Sequence, residues 1–282
     1  MRGFGRWRMM AAAGLLAWLA GQAAATARTP VEQNIPYGTD PAQVLDLYHP
    51  AGSSPAPLVI FLHGGGWVGG NKGNGRFVAP PFVAAGYAVA SIGYRLSPQV
   101  DPAGEVQDAA AGIAYLLHYA SRFGINPARF VLIGHSSGAH MVALLGTDAG
   151  YLRRAGIDPA KLAAVVTLDG VFDVQANLTD FPNERREAVF GNNPADWARV
   201  SPVRLLAGMT THPRFCLVHE DRNPRFIEQE HLFETALKQH GETVESLTAP
   251  GLTHGQLVQE FASPQEPMEA FALACAGAGL GR

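Results

Sequence analysis

The chain has 282 residues, of which 47% are hydrophobic and 16% charged, with 32 Gly, 20 Pro and a formal charge of −3. That length can bury a sizeable core, and the composition is globular, well away from a disordered or coiled-coil chain. The mildly negative balance carries no basic footprint for nucleic acid or an anionic membrane surface, so neither is expected as a partner.

At the N-terminus, Arg2, Arg6 and Arg8 stand without an acid before the apolar stretch "MMAAAGLLAWLAG", and the small residues of "GQAAATA" follow. The stretch is short for a bilayer span, and the three regions together read as a secretory signal peptide over residues 1–25. An uncleaved anchor is the alternative. The expected mature chain, 26–282, is then exported to a periplasmic or extracellular space, with no stable membrane insertion.

From there on, short apolar runs of strand length fall at Leu58–Leu62, Ala88–Ile92, Phe130–Ile133, Ala164–Leu168, Phe215–Val218 and Val244–Leu247. Longer segments with helical spacing lie between several of them, at Glu105–Tyr119, Ala139–Leu145 and Ile227–Gln239. Strands without a polar face, alternating with helices, predict an α/β fold with a mostly parallel central sheet and helices on both faces. With no repeat or linker, one domain is expected. The stretch at about 170–208 breaks the alternation and reads as an excursion above the sheet.

Chemistry on such a sheet belongs in loops leaving the carboxyl ends of strands. The first informative loop is "VLIGHSSGAH", in which Ser136 has glycines at −2 and +2 between a strand and a helix. A serine at that sharp turn presents its hydroxyl outward, and the following helix N-terminus favours negative charge nearby. The second is "VIFLHGGGWVGGNKG", where His63 precedes three glycines. Their uncovered N–H groups suit an oxyanion, whereas the phosphate-binding G-x-x-x-x-G-K-[ST] arrangement is missing. His63 itself reads as a brace for the loop. Trp67, after the run Leu58–Leu62, and Phe172, after the run Ala164–Leu168, are candidate walls of an aromatic or short acyl pocket. Cys216 and Cys275 are either two buried thiols or, in an oxidising compartment, a disulfide. No Cys/His cluster has zinc spacing, so neither metal nor organic cofactor is expected.

Taken in order, "LHGGGW", "GYRLSP", "GINPARFVLIGHSSGAH" and "GLTHG" resemble a secreted member of the α/β-hydrolase superfamily, over about residues 34–272. The nearest branch is the esterase/lipase group with an HGGG-type motif, which includes hormone-sensitive-lipase-like and feruloyl-esterase-like carboxylesterases and arylformamidases. The resemblance implies a Ser–His–Asp triad with Ser136 as nucleophile and His254 as base, and an oxyanion hole of Gly65, Gly66 and the Ser137 N–H. His254 also fits on position, since it lies in a Pro/Gly loop after the last strand, as the chain order Ser, acid, His requires.

The acid is less regular. The family usually has His-Gly-x-x-Asp before a proline, but this chain has His219-Glu220-Asp221-Arg222-Asn223-Pro224. Stabilising an imidazolium favours a carboxylate, hence Asp221, with Glu220 and Asn223 behind it and Asp169 in "VTLDGVFD" as a remoter candidate. The expected activity is hydrolysis of small or aromatic carboxylic esters through an acyl-enzyme. Amide cleavage on the same machinery is the alternative, and a non-catalytic binding protein with an esterase-like fold is a remoter one.

Overall fold

The structure is a computed structural model and describes residues 30–52, 55–263 and 265–281; the expected signal peptide lies outside them. The first half runs β1 (Val31–Pro36), β2 (Val44–Tyr48), β3 (Ala56–Leu62), α1 (Gly75–Ala84), β4 (Ala88–Ile92), α2 (Pro102–His118), β5 (Ile125–His135), α3 (Ser137–Thr147) and α4 (Ala149–Arg154). The second half runs β6 (Leu162–Leu168), α5 (Val174–Asp180), α6 (Glu184–Phe190), α7 (Pro194–Arg199), α8 (Pro202–Leu205), β7 (Arg214–Glu220), α9 (Pro224–His240), β8 (Val244–Ala249), α10 (Gln256–Gln259) and α11 (Met268–Leu280).

The strands form one sheet in the order β1-β2-β4-β3-β5-β6-β7-β8. The pairs from β4 through β8 are parallel, while β1–β2 and β2–β4 are antiparallel. This is the α/β-hydrolase fold. In β3, "APLVIFL", the period of two sends Leu58, Ile60 and Leu62 to one face, where they meet Val106, Ala109 and Ile113 of α2. Val59 and Phe61 go to the other face, against Val78 and Phe82 of α1 and Ala272 of α11. Each such side chain withdrawn from water contributes about 1.5–3 kcal/mol, which is why the strand tolerates no polar position. The six predicted strands are all present. β1 and β2 went unpredicted because β1 is an exposed edge carrying Glu32, Gln33 and Asn34, and β2 is interrupted by Asp46. Asp46 is buried yet satisfied by the Lys72 ammonium at 2.7 Å.

Two features set up the site. Cys216 of β7 and Cys275 of α11 are joined as a disulfide across a Cα–Cα distance of 6.4 Å, tying the last helix to the sheet. The 170–208 stretch folds into α5–α8 and is fastened to the main body by polar contacts. The amide oxygen of Gln229 on α9 accepts the N–H groups of Phe172 and Asp173, and Ser201 Oγ accepts that of Val174.

Candidate active site

Ser136 is positioned by backbone geometry that only small flanking residues permit. It stands between β5 and α3 at φ 58°, ψ −121°, a left-handed conformation that costs a non-glycine residue about 1–2 kcal/mol. A Cβ on Gly138 would lie 2.2 Å from the Leu62 carbonyl oxygen, and one on Gly134 would lie 2.2 Å from that of Gly138. The elbow therefore packs directly against the end of β3, and any side chain at either flank would push the serine away.

His254 arrives from the turn after β8. Its Nε2 is 2.9 Å from Ser136 Oγ, and its Nδ1 is 2.9 Å from Asp169 Oδ2. The residue is held at its ring and at its main chain. Phe226 of α9 stacks on it with centroids 4.0 Å apart, and His135 Nε2 donates to the His254 carbonyl oxygen at 2.8 Å. The residue preceding the serine thus holds the main chain of the histidine hydrogen-bonded to it, a contact that no local motif announces.

The carboxylate beside His254 is Asp169, not Asp221, and each of the three favoured residues is occupied elsewhere. Asp221 is exposed and accepts the Gly251 N–H at 2.9 Å. Glu220 Oε2 accepts the N–H groups of Arg222 and Asn223, and Asn223 caps α9 through the Arg225 N–H. Register explains why Asp169 stands there. His135 of β5 pairs with Leu168 of β6, so Ser136 and Asp169 each stand one residue beyond a paired position at adjacent strand ends. Asp169 is fully buried at φ 51°, and its Oδ1 accepts the Glu220 N–H at 3.0 Å. Burial raises its pKa, opposed by that N–H and by the electrostatic influence of neighbouring groups, the Arg225 guanidinium among them. Burial, and then Arg225, hold the His254 imidazole below the ordinary histidine range, so it stands neutral with a free nitrogen toward the serine.

The glycine loop lies against this pair, since a Cβ on Gly64 would come within 2.8 Å of Ser136 Cβ. Gly65 at φ +144° and Gly66 at φ +63° take conformations that suit glycine. Among the described residues their N–H groups have no partner, nor does that of Ser137, the first residue of α3. His63 braces the loop as expected: its ring stacks on Tyr94 at 4.3 Å and its Nδ1 donates to the Gly64 carbonyl oxygen. The two proposed pocket walls belong to the core instead. Phe172 is fully buried and stacked on Phe233, and Trp67 is 2% exposed. The Trp67 indole donates to Nδ1 of His140, whose Nε2 donates to the Val200 carbonyl oxygen at 2.7 Å. That buried imidazole therefore links the glycine loop to the helical excursion.

Among the described residues no group of three or more His, Cys, Asp or Glu side chains is arranged to hold a metal. No helix among them is long and apolar enough to cross a membrane.

The BD-FAE family model matches residues 45–237. A kynurenine formamidase of Danio rerio is 28% identical over 237 residues, covering 81% of this chain and 76% of its own. An isoprenylcysteine alpha-carbonyl methylesterase of Arabidopsis thaliana is 37% identical over 158 residues, covering 54% of this chain and 37% of its own length. In structure, esterase B of Lactobacillus rhamnosis superposes with a TM-score of 0.77 at 24% identity, covering 90% of this chain and 86% of its own.

Proposed function

The chain belongs to the BD-FAE family, and on that premise we propose that it is a serine hydrolase cleaving small or aromatic carboxylic esters through an acyl-enzyme. One observation carries the reading: the unbroken line from Ser136 Oγ through the His254 ring to Asp169, with both contacts at 2.9 Å. A lone surface serine is a weak nucleophile, but one hydrogen-bonded to a neutral, oriented imidazole can surrender its proton as it attacks.

In the proposed reaction, Ser136 Oγ attacks the substrate carbonyl and its proton passes to His254 Nε2. Asp169 holds Nδ1–H, fixing the tautomer and stabilising the imidazolium that forms. The N–H groups of Gly65, Gly66 and Ser137 receive the oxyanion. Held on a preorganised backbone, such donors act without reorganisation and are each worth about 10²–10³ in rate. His254 then protonates the departing group, and a water molecule, activated by the same nitrogen, releases the acid and restores Ser136. The chain's own atoms complete the cycle without a cofactor.

Amide cleavage is the second reading, favoured by the similarity to kynurenine formamidases of Danio rerio and Salmo salar. The steps are unchanged, except that an amine leaves and must be protonated as the bond breaks. Export is proposed too, and the Cys216–Cys275 disulfide supports it, since such bonds persist in oxidising compartments. Parallel turnover of nitrophenyl acetate, nitrophenyl butyrate and N-formylkynurenine tests the assignment. Ester hydrolysis abolished by Ser136→Ala is the expected result. Faster turnover of the formamide would select the second reading, and activity retained in Ser136→Ala would end both.

A further inference from the structure

The helices beside the site carry positive charge for which the proposed reaction has no use. Arg225 is the second residue of α9, at the helix end where the backbone dipole disfavours a cation. Its Nε donates to Asn177 Oδ1 at 2.6 Å, and its guanidinium lies 4.6 Å from the centre of the Phe226 ring. That is the ring stacked on His254 at 4.0 Å, so Arg225 stands one aromatic side chain away from the catalytic imidazole.

A second arginine joins it. Arg186 of α6 lies close enough for its charge to act on Arg225, and one of its terminal nitrogens donates to the Phe181 carbonyl oxygen. Burial, and then Arg186, bring the Arg225 pKa down to about 10, which still leaves both groups charged at neutral pH. Among the described residues neither arginine has an acid within ion-pair distance. Asp169, the acid whose attraction reaches Arg225, is engaged by His254, and Glu187, whose charge reaches Arg186, is exposed on the same helix.

The polar atoms left over in this cluster share one character. Asn177 is fully buried, and its Nδ2 has no hydrogen-bond partner; the buried Nε of Arg186 has none either. The terminal nitrogens of Arg225 donate to nothing among the described residues. Each of these unfilled positions on Asn177, Arg186 and Arg225 is a donor. Two like charges, a helix N-terminus and buried donors without acceptors are each unfavourable alone, and a negatively charged acceptor relieves all of them at once.

We propose that Asn177, Arg186 and Arg225 form an anion subsite beside His254 that receives a carboxylate carried by the substrate. The subsite rests on the hydrolase reading of Ser136 and His254 and narrows it to a substrate class: esters or amides with a carboxylate on either the acyl or the leaving side. An arginine pair with a buried amide matches the two oxygens of a carboxylate better than a single neutral acceptor, because its donors are several and its charge is complementary.

Matched substrates test it in the wild-type protein. On the acyl side, nitrophenyl hemisuccinate is compared with nitrophenyl butyrate; on the leaving side, 4-acetoxyphenylacetate is compared with its neutral amide. The expected result is a kcat/KM preference of about tenfold or more for the charged member of one pair, shrinking as salt is raised. That ratio should collapse in Arg225→Met and Arg186→Met and be partly restored in Arg225→Lys, with melting temperatures recorded for each. Calorimetric titration with succinate and with 4-hydroxyphenylacetate gives a readout independent of turnover, and Arg225-dependent binding of either supports the subsite. Turnover of neutral esters with no charge preference in either pair overturns it, as does a preference unchanged in both arginine variants. No binding of either anion in a protein that also shows no charge preference is equally fatal. Binding through Arg225 in a protein that cleaves no ester would instead sink the hydrolase reading and leave the subsite standing.

Discussion

Replacing Asp169 by Asn separates the carboxylate in contact with His254 from the one the sequence favoured. The side chain is fully buried and both its oxygens are engaged, Oδ2 with His254 Nδ1 at 2.9 Å and Oδ1 with the Glu220 N–H at 3.0 Å. An amide fits this site in two ways, and each fails. With its NH2 toward His254, it forces the proton onto Nε2, where the imidazole can no longer accept from Ser136. With its oxygen toward His254, the NH2 opposes the Glu220 N–H, so two donors face each other in a dry site at a cost of about 1–3 kcal/mol. In either orientation the imidazolium loses its counter-charge. Loss of the corresponding charge in a serine triad lowers kcat by about 10⁴, or about 5 kcal/mol of transition-state stabilisation. Asp169→Asn is therefore expected to lose about three to four orders of magnitude in kcat on nitrophenyl acetate, with KM little changed. Asp221→Asn, which gives up one exposed hydrogen bond to Gly251, should stay within a fewfold of wild type. An Asp169 variant that is folded by circular dichroism and keeps activity within tenfold, while Asp221→Asn loses it, would assign the role to Asp221 instead.

Three further outcomes follow from the same geometry. Opening the Cys216–Cys275 bridge frees a 59-residue loop, so Cys275→Ser should lower unfolding free energy in denaturant by about 2–4 kcal/mol, whereas an unchanged midpoint would show that the bridge constrains nothing. Glu105 is fully buried on α2, and burial raises its pKa to about 9. The folded state therefore holds a proton that the unfolded state releases near 4.5, and this contribution to stability is lost as pH rises from there toward 9. Glu105→Gln should remove that slope and stabilise the protein at pH 8 by up to a few kcal/mol, read as urea midpoints across pH. For activity, His254 must be neutral to accept the serine proton, and burial lowers its pKa from 6.5. The acid limb of kcat/KM should thus fall below pH 6.5, and an apparent pKa above 7 would contradict the burial argument.

How much of this was legible in the sequence depended on where each signal resides. The central strands announce themselves because burial on both faces allows only apolar residues, and the Ser136 elbow because its flanking glycines are packed against backbone. The carboxylate beside His254 did not, and the reason lies in register. "VTLDG" holds an aspartate at the end of an entirely apolar strand, one step past the residue level with His135, but that level is fixed by pairing between β5 and β6 and not by local composition. Glu220 and Asp221 looked better because they sit where a carboxylate was expected, yet main-chain N–H groups within two or three residues of Glu220, and from Gly251 across the loop, had already claimed them. Trp67 and Phe172 failed in the opposite sense. An aromatic residue after a catalytic strand faces the pocket only if no helix covers it, and here Phe233 of α9 and Phe190 of α6 do. The clamps on His254, His135 and Phe226, come from distant stretches whose meeting no spacing rule foretells.

In the proposed reaction a proton-accepting imidazole makes one particular hydroxyl, that of Ser136, nucleophilic. Intact mass spectrometry of the protein after exposure to a nitrophenyl alkylphosphonate, followed by peptide mapping, measures this directly. One adduct per chain on Ser136, absent in Ser136→Ala and slowed in Asp169→Asn, is the predicted result. An unlabelled chain, or a label carried by Ser137 or any other side chain, would contradict it.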